Sequence, residues 1–185
     1  MKIDLFQIKD VFDDISIAPS SDVGNLKDGS VTFIGRTNAN NGLQRFVNVD
    51  KSKVLQDNCI TISMVGTNVA CYQKSNFTCS QNILILRCKK LNSVNAFYLT
   101  SVLNKYLSTK GFGYGHPVSL KRFRKSSIPL PATPQGEPDY VFMEQFMRQK
   151  EQEKLEKFQN YIAKRIEQKF THKQTEKKRG FLFSC

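Results

Sequence analysis

Residues 33–46 read FIGRTNANNGLQRF, and between positions 36 and 45 they gather Arg36, Asn38, Asn40, Asn41, Gln44 and Arg45. Asn and Gln carry two donors and an acceptor on one planar group. That group matches the N6/N7 edge of adenine, as a guanidinium matches O6/N7 of guanine. A second gathering follows at residues 110–124. It holds Lys110, Tyr114, His116, Lys121, Arg122 and Arg124, with Gly111, Gly113 and Gly115 interleaved so that backbone can approach a ligand closely. Lys74 is a third, isolated cation. Lys and Arg hold phosphates, whereas amides and Arg read base edges. The two groups together carry both contact types that a DNA reader needs. Any one of these residues could be an ordinary solvated or turn residue, and Asn41-Gly42 is a strong turn signal in its own right. The argument rests on the constellation.

Catalytic chemistry finds no matching pattern. There is no Walker loop, GxSxG, HExxH or DPPY/NPPY-type methyltransferase motif. Pro138-Asp139 with Glu167 and Lys169 imitates the PD…ExK pattern of metal-dependent nucleases. Both parts fall on one continuous helix, about 42 Å apart at 1.5 Å per residue, and cannot share a metal. His116 has no Cys or Ser partner nearby in sequence. The five cysteines, at 59, 71, 79, 88 and 185, form no CxxC, and the only other histidine is His172. Zinc ligation is therefore not expected, and the thiols read as reduced and buried. We expect a binding protein with no catalytic residue, metal or cofactor of its own.

Charge points to the same partner. The 185 residues carry a net charge of +12. Residues 1–138 hold 17 Lys/Arg against 9 Asp/Glu, a net of +8, so the basic excess sits mostly ahead of the C-terminal region. Nucleic acid is the commonest polyanion that such a surface meets. No apolar run is long enough to span a membrane, and the N-terminal MKIDLFQIKDVFDD has no signal-peptide core. A cytoplasmic, double-stranded DNA partner with no membrane contact is the expectation.

The elements that must position these residues are mixed. Ile8, Val11, Phe12 and Ile15 suit a short amphipathic helix. Strand patterns follow at 31–35, 43–49, 59–66, 69–73 and 82–88, the last nearly all apolar and suited to a sheet centre. Leu99, Val102, Leu103, Tyr106 and Leu107 mark a helix over 95–107, and Ser119 can cap a short basic helix, LKRFRK. Residues 129–138 hold four prolines and predict a stiff extended hinge. Beyond it, Asp139 can cap a helix running to about Phe170. Its Leu155, Phe158, Ile162 and Ile166 form an apolar stripe suited to pairing with another helix. The fold class is thus α/β (α+β). Residues 1–133 form a mixed-sheet recognition domain, 134–170 a proline-started coiled-coil-like helix, and 171–185 a polar, disordered tail.

In this order the segments resemble the target recognition domains of DNA-specificity subunits from type I and type IIB-like restriction–modification systems. The resemblance rests on FQIKDVF, IGRTNANNGLQRFV, NCITISMVG, FTCSQNILILRC, AFYLTSVLNKYL, GFGYGHPVSLKRFRKSSIPLP and PDYVFMEQFM, spread over residues 1–170. It implies a domain that reads one half of a split DNA site and a long helix that pairs antiparallel as a spacer. The implied partner is an adenine-N6 methyltransferase subunit, which holds the S-adenosylmethionine, with or without a restriction subunit. A usual subunit has two recognition domains and two helices. This sequence has one of each, which suggests either a half-length subunit or a truncated fragment; a half-length version would work as a homodimer through Leu155, Phe158, Ile162 and Ile166. The alternative is a stand-alone basic nucleic-acid-binding adaptor without a methyltransferase partner.

Overall fold

The structure, a computed structural model, describes residues 2–112 and 115–182, with backbone alone for residue 167 and for residues 169–182. The elements run β1 (Lys2–Gln7), α1 (Ile8–Val11), β2 (Asp14–Ile17), β3 (Asp28–Ile34), β4 (Leu43–Val47), β5 (Cys59–Ser63), β6 (Ala70–Gln73), β7 (Phe77–Cys79), β8 (Ile83–Arg87), α2 (Asn95–Thr109), α3 (Leu120–Lys125), β9 (Ser127–Ala132) and α4 (Tyr140–Leu182). The chain divides into two compact units, Met1–Gln145 and Phe146–Cys185. The mixed α+β class is as expected.

Three sheets build the first unit. The central one has the order β2-β8-β5-β6 and is antiparallel throughout. A second, β4-β3-β7, joins the β3–β4 hairpin to a parallel β3–β7 pair. The third is the β1–β9 ribbon. The nearly all-apolar β8 is explained by its two covered faces. Leu84 and Leu86 join Ile60, Ile62 and the helix residues Leu99 and Leu103 in one core. Ile83 and Ile85 point the other way, into a smaller core with Ile34, Phe77 and Cys79 from the second sheet. Every residue of β5 is buried for the same reason. Thr61 and Ser63 are therefore interior despite their polar side chains, with Thr61 Oγ1 accepting from Gln73 Nε2 at 2.9 Å.

Several expectations are corrected. The helix over Ile8–Ile15 is a single turn ending at Val11. Phe12 is extended and Ile15 lies in β2 opposite Leu86. All four side chains are buried, but strand pairing with β8, not helical periodicity, places the last one. The proline hinge is not a hinge: Pro129 and Pro131 lie in β9, paired with Leu5 and Ile3. Proline suits such an edge because it lacks the donor that an outward-facing position would leave unpaired. The tail expected to be disordered is helical through Leu182. Its Lys, Glu and Gln residues are good helix formers, and no Pro precedes Leu182 within it. Asp139 caps α4 as expected, its carboxylate accepting from Phe142 N–H at 2.9 Å. Tyr140 anchors that first turn, donating to Val11 O at 2.7 Å and accepting from the Cys88 thiol at 3.3 Å.

Candidate nucleic-acid interface

The amide-rich loop between β3 and β4 is held by its own backbone chemistry. Asn40, Asn41 and Gly42 have φ values of 48°, 56° and 81°, all left-handed. Asn and Gly are the residues that tolerate this region. The loop runs along the open edge of β6. There Asn41 Nδ2 donates to Tyr72 O at 2.7 Å, and Gln73 Nε2 reaches Asn41 O at 3.4 Å. Asn104 of α2 serves the same edge, accepting from Ala70 N–H at 2.7 Å and donating to Ala70 O at 3.0 Å. An edge strand presents unpaired N–H and C=O groups that must be satisfied or covered. Two asparagine side chains do that here.

The expected contact residues separate accordingly. Asn41 has its amide N–H engaged by the fold. Arg45 donates to Leu26 O at 3.1 Å and pairs with Asp28 at 2.7 Å. Arg36, Asn38, Asn40 and Gln44 are exposed around the same loop. Arg36, Thr37 and Gln44 line an open depression with Val23, Leu43 and Ser80. Lys74 is exposed and directly follows Gln73, so the structure brings it beside the Asn loop although it lies far away in sequence. Phe46 was missed in the sequence. It is half exposed and shares the outward face of β4 with Gln44, a relation that the alternation of LQRFV already carries.

The basic group is built on α3. Phe123 is buried and anchors a six-residue helix whose Lys121, Arg122, Arg124 and Lys125 are exposed. Lys125, missed earlier, belongs to the same run. Ser119 occupies the N-cap position with extended backbone but makes no side-chain cap bond, contrary to expectation. Beside the helix, Tyr106 OH donates to Ser126 Oγ at 2.6 Å, and Ser126 Oγ donates to Arg122 O at 3.0 Å. Lys110 lies over the Tyr106 ring at 5.8 Å. Phe112 and His116 stack with centroids 5.5 Å apart and planes within 12°. These residues line a cleft of about 290 Å³ carrying Lys110, His116 and Arg122. Tyr114 lies outside the described residues.

The two groups are joined through the β5–β6 tip. Thr67 Oγ1 donates to Arg36 O at 3.2 Å, and Val118 N–H donates to Met64 O at 2.9 Å. The arrangement offers amide and guanidinium groups from one loop and a row of cations from a short helix. Among the described residues no group of His, Cys, Asp and Glu could hold a metal, and Asp139 is used as a helix cap. The side chains of Glu167 and Lys169 lie outside the described residues. The stripe residues Leu155, Phe158, Ile162 and Ile166 are 50 %, 62 %, 39 % and 50 % exposed. Among the described residues no helix is long and apolar enough to cross a membrane.

The model of the type I restriction modification DNA specificity domain matches residues 2–169. The specificity subunit S.BcgI of the type II restriction enzyme BgcI, from Heyndrickxia coagulans, is 28% identical over 129 residues, covering 69% of this chain and 37% of that protein. The type I restriction–modification S subunit from M. genitalium superposes with a TM-score of 0.56 at 13% identity, over 70% of this chain and 34% of that one. The HsdS subunit from Thermoanaerobacter tengcongensis gives 0.56 at 15% identity, over 82% and 38%. The chain thus spans little more than a third of the length of these relatives. With the matched region covering nearly all of both the recognition unit and the helix stripe, the chain belongs to the type I restriction modification DNA specificity domain family.

Proposed function

We propose that this chain reads one half of a bipartite DNA site and directs an adenine-N6 methyltransferase subunit, alone or with a restriction subunit, to that site. The chain itself is not an enzyme; S-adenosylmethionine belongs to the methyltransferase. In this reading Lys110, Lys121, Arg122 and Arg124 hold phosphates and set the register. Arg36, Asn38, Asn40 and Gln44 meet base edges, with Lys74 flanking them. The observation that carries the reading is the anchored loop. The Asn41–Tyr72 bond and three left-handed residues hold the exposed amides in place before DNA arrives. Presenting them already ordered reduces the entropy cost of binding.

One recognition unit reads one half-site. Two copies related by a twofold axis read two, and a twofold protein favours an interrupted palindrome. The exposed stripe Leu155, Phe158, Ile162 and Ile166 supplies the pairing surface in an antiparallel arrangement. Each such side chain removed from water contributes about 1.5–3 kcal/mol, against an association cost on the order of 4–15 kcal/mol. At 39–62 % exposure about half of that remains to be gained, so the eight side chains of a dimer contribute about 6–12 kcal/mol, the same order as the cost. The test is co-expression with a methyltransferase subunit and mapping of N6-methyladenine. Methylation at one interrupted palindrome, redirected or relaxed by Asn40→Ala, is expected. Co-purification without any site-specific methylation would overturn the reading.

A further inference from the structure

Ile34 pairs with Leu43 and Phe33 with Arg45, so one step along β3 answers two along β4. Gln44 is the extra residue of a β-bulge, a feature by which a strand re-aims one side chain. Its side chain lies across Gly35, the residue after Ile34. A β-carbon placed on Gly35 would meet Gln44 Cδ at 3.2 Å and Gln44 Cβ at 3.3 Å, with Oε1 nearer still. Gln44 thus occupies the space that any other residue at position 35 would fill. Gly35 is outside the left-handed region, so its own backbone does not demand glycine. The neighbouring side chain does.

The seat is fixed by its surroundings. Gly35 N–H donates to Gly42 O at 2.9 Å, Ser80 N–H donates to Ile34 O at 2.9 Å, and Thr67 Oγ1 donates to Arg36 O at 3.2 Å. Gln44 itself is exposed, and among the described residues its side-chain amide makes no hydrogen bond. Asn41 in the same loop differs, because its amide N–H is spent on Tyr72 O. The Gln44 amide is therefore held by packing while its two donors and its acceptor stay open to a ligand. It lines one open depression together with Arg36.

We propose that Gly35 is a positioning residue for base reading: its bare backbone seats Gln44, and the seated amide reads one adenine of the half-site. This rests on the DNA reading above and adds which amide reads, which base it reads and what holds it. A carboxamide offers a donor and an acceptor in one plane, the complement of adenine N7 and N6 in the major groove. Gln is a long side chain that loses much rotamer freedom when it is ordered. Packing over Gly35 makes part of that loss before DNA arrives, which favours binding. The nearest atoms in the way of a methyl group at position 35 all belong to the Gln44 side chain. Gly35→Ala therefore displaces the reader and spares the backbone around it.

Selection of the full chain on a library of randomised DNA duplexes, read by sequencing, tests this. The unmodified chain should enrich adenine at one position, and Gln44→Ala should cut that preference about five- to 150-fold. Gly35→Ala should cut the preference at the same position and leave the others. The double variant Gly35→Ala/Gln44→Ala should show no further loss, because both changes act through one side chain. Gln44→Glu should move the preference from adenine to cytosine, whose N4 donates to a carboxylate. That arm does not depend on Gly35→Ala folding. Nor does nitrogen-15 relaxation of the unmodified chain, in which the Gln44 side-chain amide should be more ordered than that of the exposed Gln7. A Gln44 amide as mobile as that of Gln7 would overturn the seating. So would a loss in Gly35→Ala that is uniform over all sequences or that persists in the Gln44→Ala background. A preference untouched by Gln44→Ala, or for another base at the position it governs, would overturn adenine reading by Gln44 while sequence-specific binding stands. Enrichment of no sequence would overturn the DNA reading and this proposal with it.

Discussion

Replacing Asn41 by glycine separates a structural role from base reading. Asn41 has φ 56° and donates to Tyr72 O at 2.7 Å across the open edge of β6. Glycine accepts the left-handed backbone without strain, so Asn41→Gly removes the hydrogen bond alone. A neutral hydrogen bond contributes about 0.5–1.5 kcal/mol net. Tyr72 O faces solvent once the loop loosens, so the lower half of that range, roughly 0.5–1 kcal/mol, is expected. Alanine adds the cost of left-handed backbone, about 1 kcal/mol, giving a total near 2 kcal/mol for Asn41→Ala. Urea unfolding followed by circular dichroism, at one protein concentration, should rank wild type above Asn41→Gly above Asn41→Ala with unchanged m-values. For a domain of this size the alanine variant should melt about 4–8 °C lower. Binding to a panel of duplexes should weaken uniformly in both variants, because a loosened loop misplaces every amide it carries. Unchanged stability together with an altered order of preference among the duplexes would refute this reasoning and make Asn41 a base reader.

Other perturbations have distinct signatures. DNA affinity should fall on the order of a thousandfold between 50 and 200 mM salt if about six phosphates are contacted, and Lys121→Ala or Arg124→Ala should lower the slope of log K against log salt by about 0.9 each without changing sequence preference; filter binding across a salt series measures both. Leu155→Asp/Ile162→Asp should sediment as a monomer at tens of micromolar, a concentration order that detects any dimer stronger than about 6 kcal/mol, whereas the unmodified chain should sediment as a dimer. Burial pushes the Cys59 and Cys71 thiols up to about 11 and Cys79 up to about 12. These thiols stay protonated in the folded state after the unfolded chain has released its protons, so stability should fall as pH rises from about 9 towards 11. Urea midpoints measured from pH 8 to 11 check the sign, and Cys59→Ala/Cys79→Ala should flatten the decline.

The local pattern determined much of this protein. Nearly unbroken apolar residues in ILILR specify a strand covered on both faces, and Leu99, Leu103 and Leu107 recur at the spacing of one helical face. The basic run LKRFRK around one buried Phe, and the amide-rich turn at 36–45, are legible because their physics is local. So is the exposed stripe from Leu155 to Ile166. Tertiary structure decided what depends on partners distant in the chain. Lys2–Gln7 is a strand only because Ser127–Ala132 lies beside it, and the same pairing turns a proline-rich stretch from hinge into sheet. Ile15 leaves its helical pattern because Leu86 offers a strand register. Phe77–Cys79 is too short to announce itself and gains its form from the parallel pair with Thr32–Ile34. Within the site, periodicity could not tell Asn40 from Asn41, or Arg45 from Arg36. An open β6 edge and the Asp28 carboxylate engage one member of each pair. Side-chain type sets what a residue can bond; only the folded chain sets which of those bonds are already made.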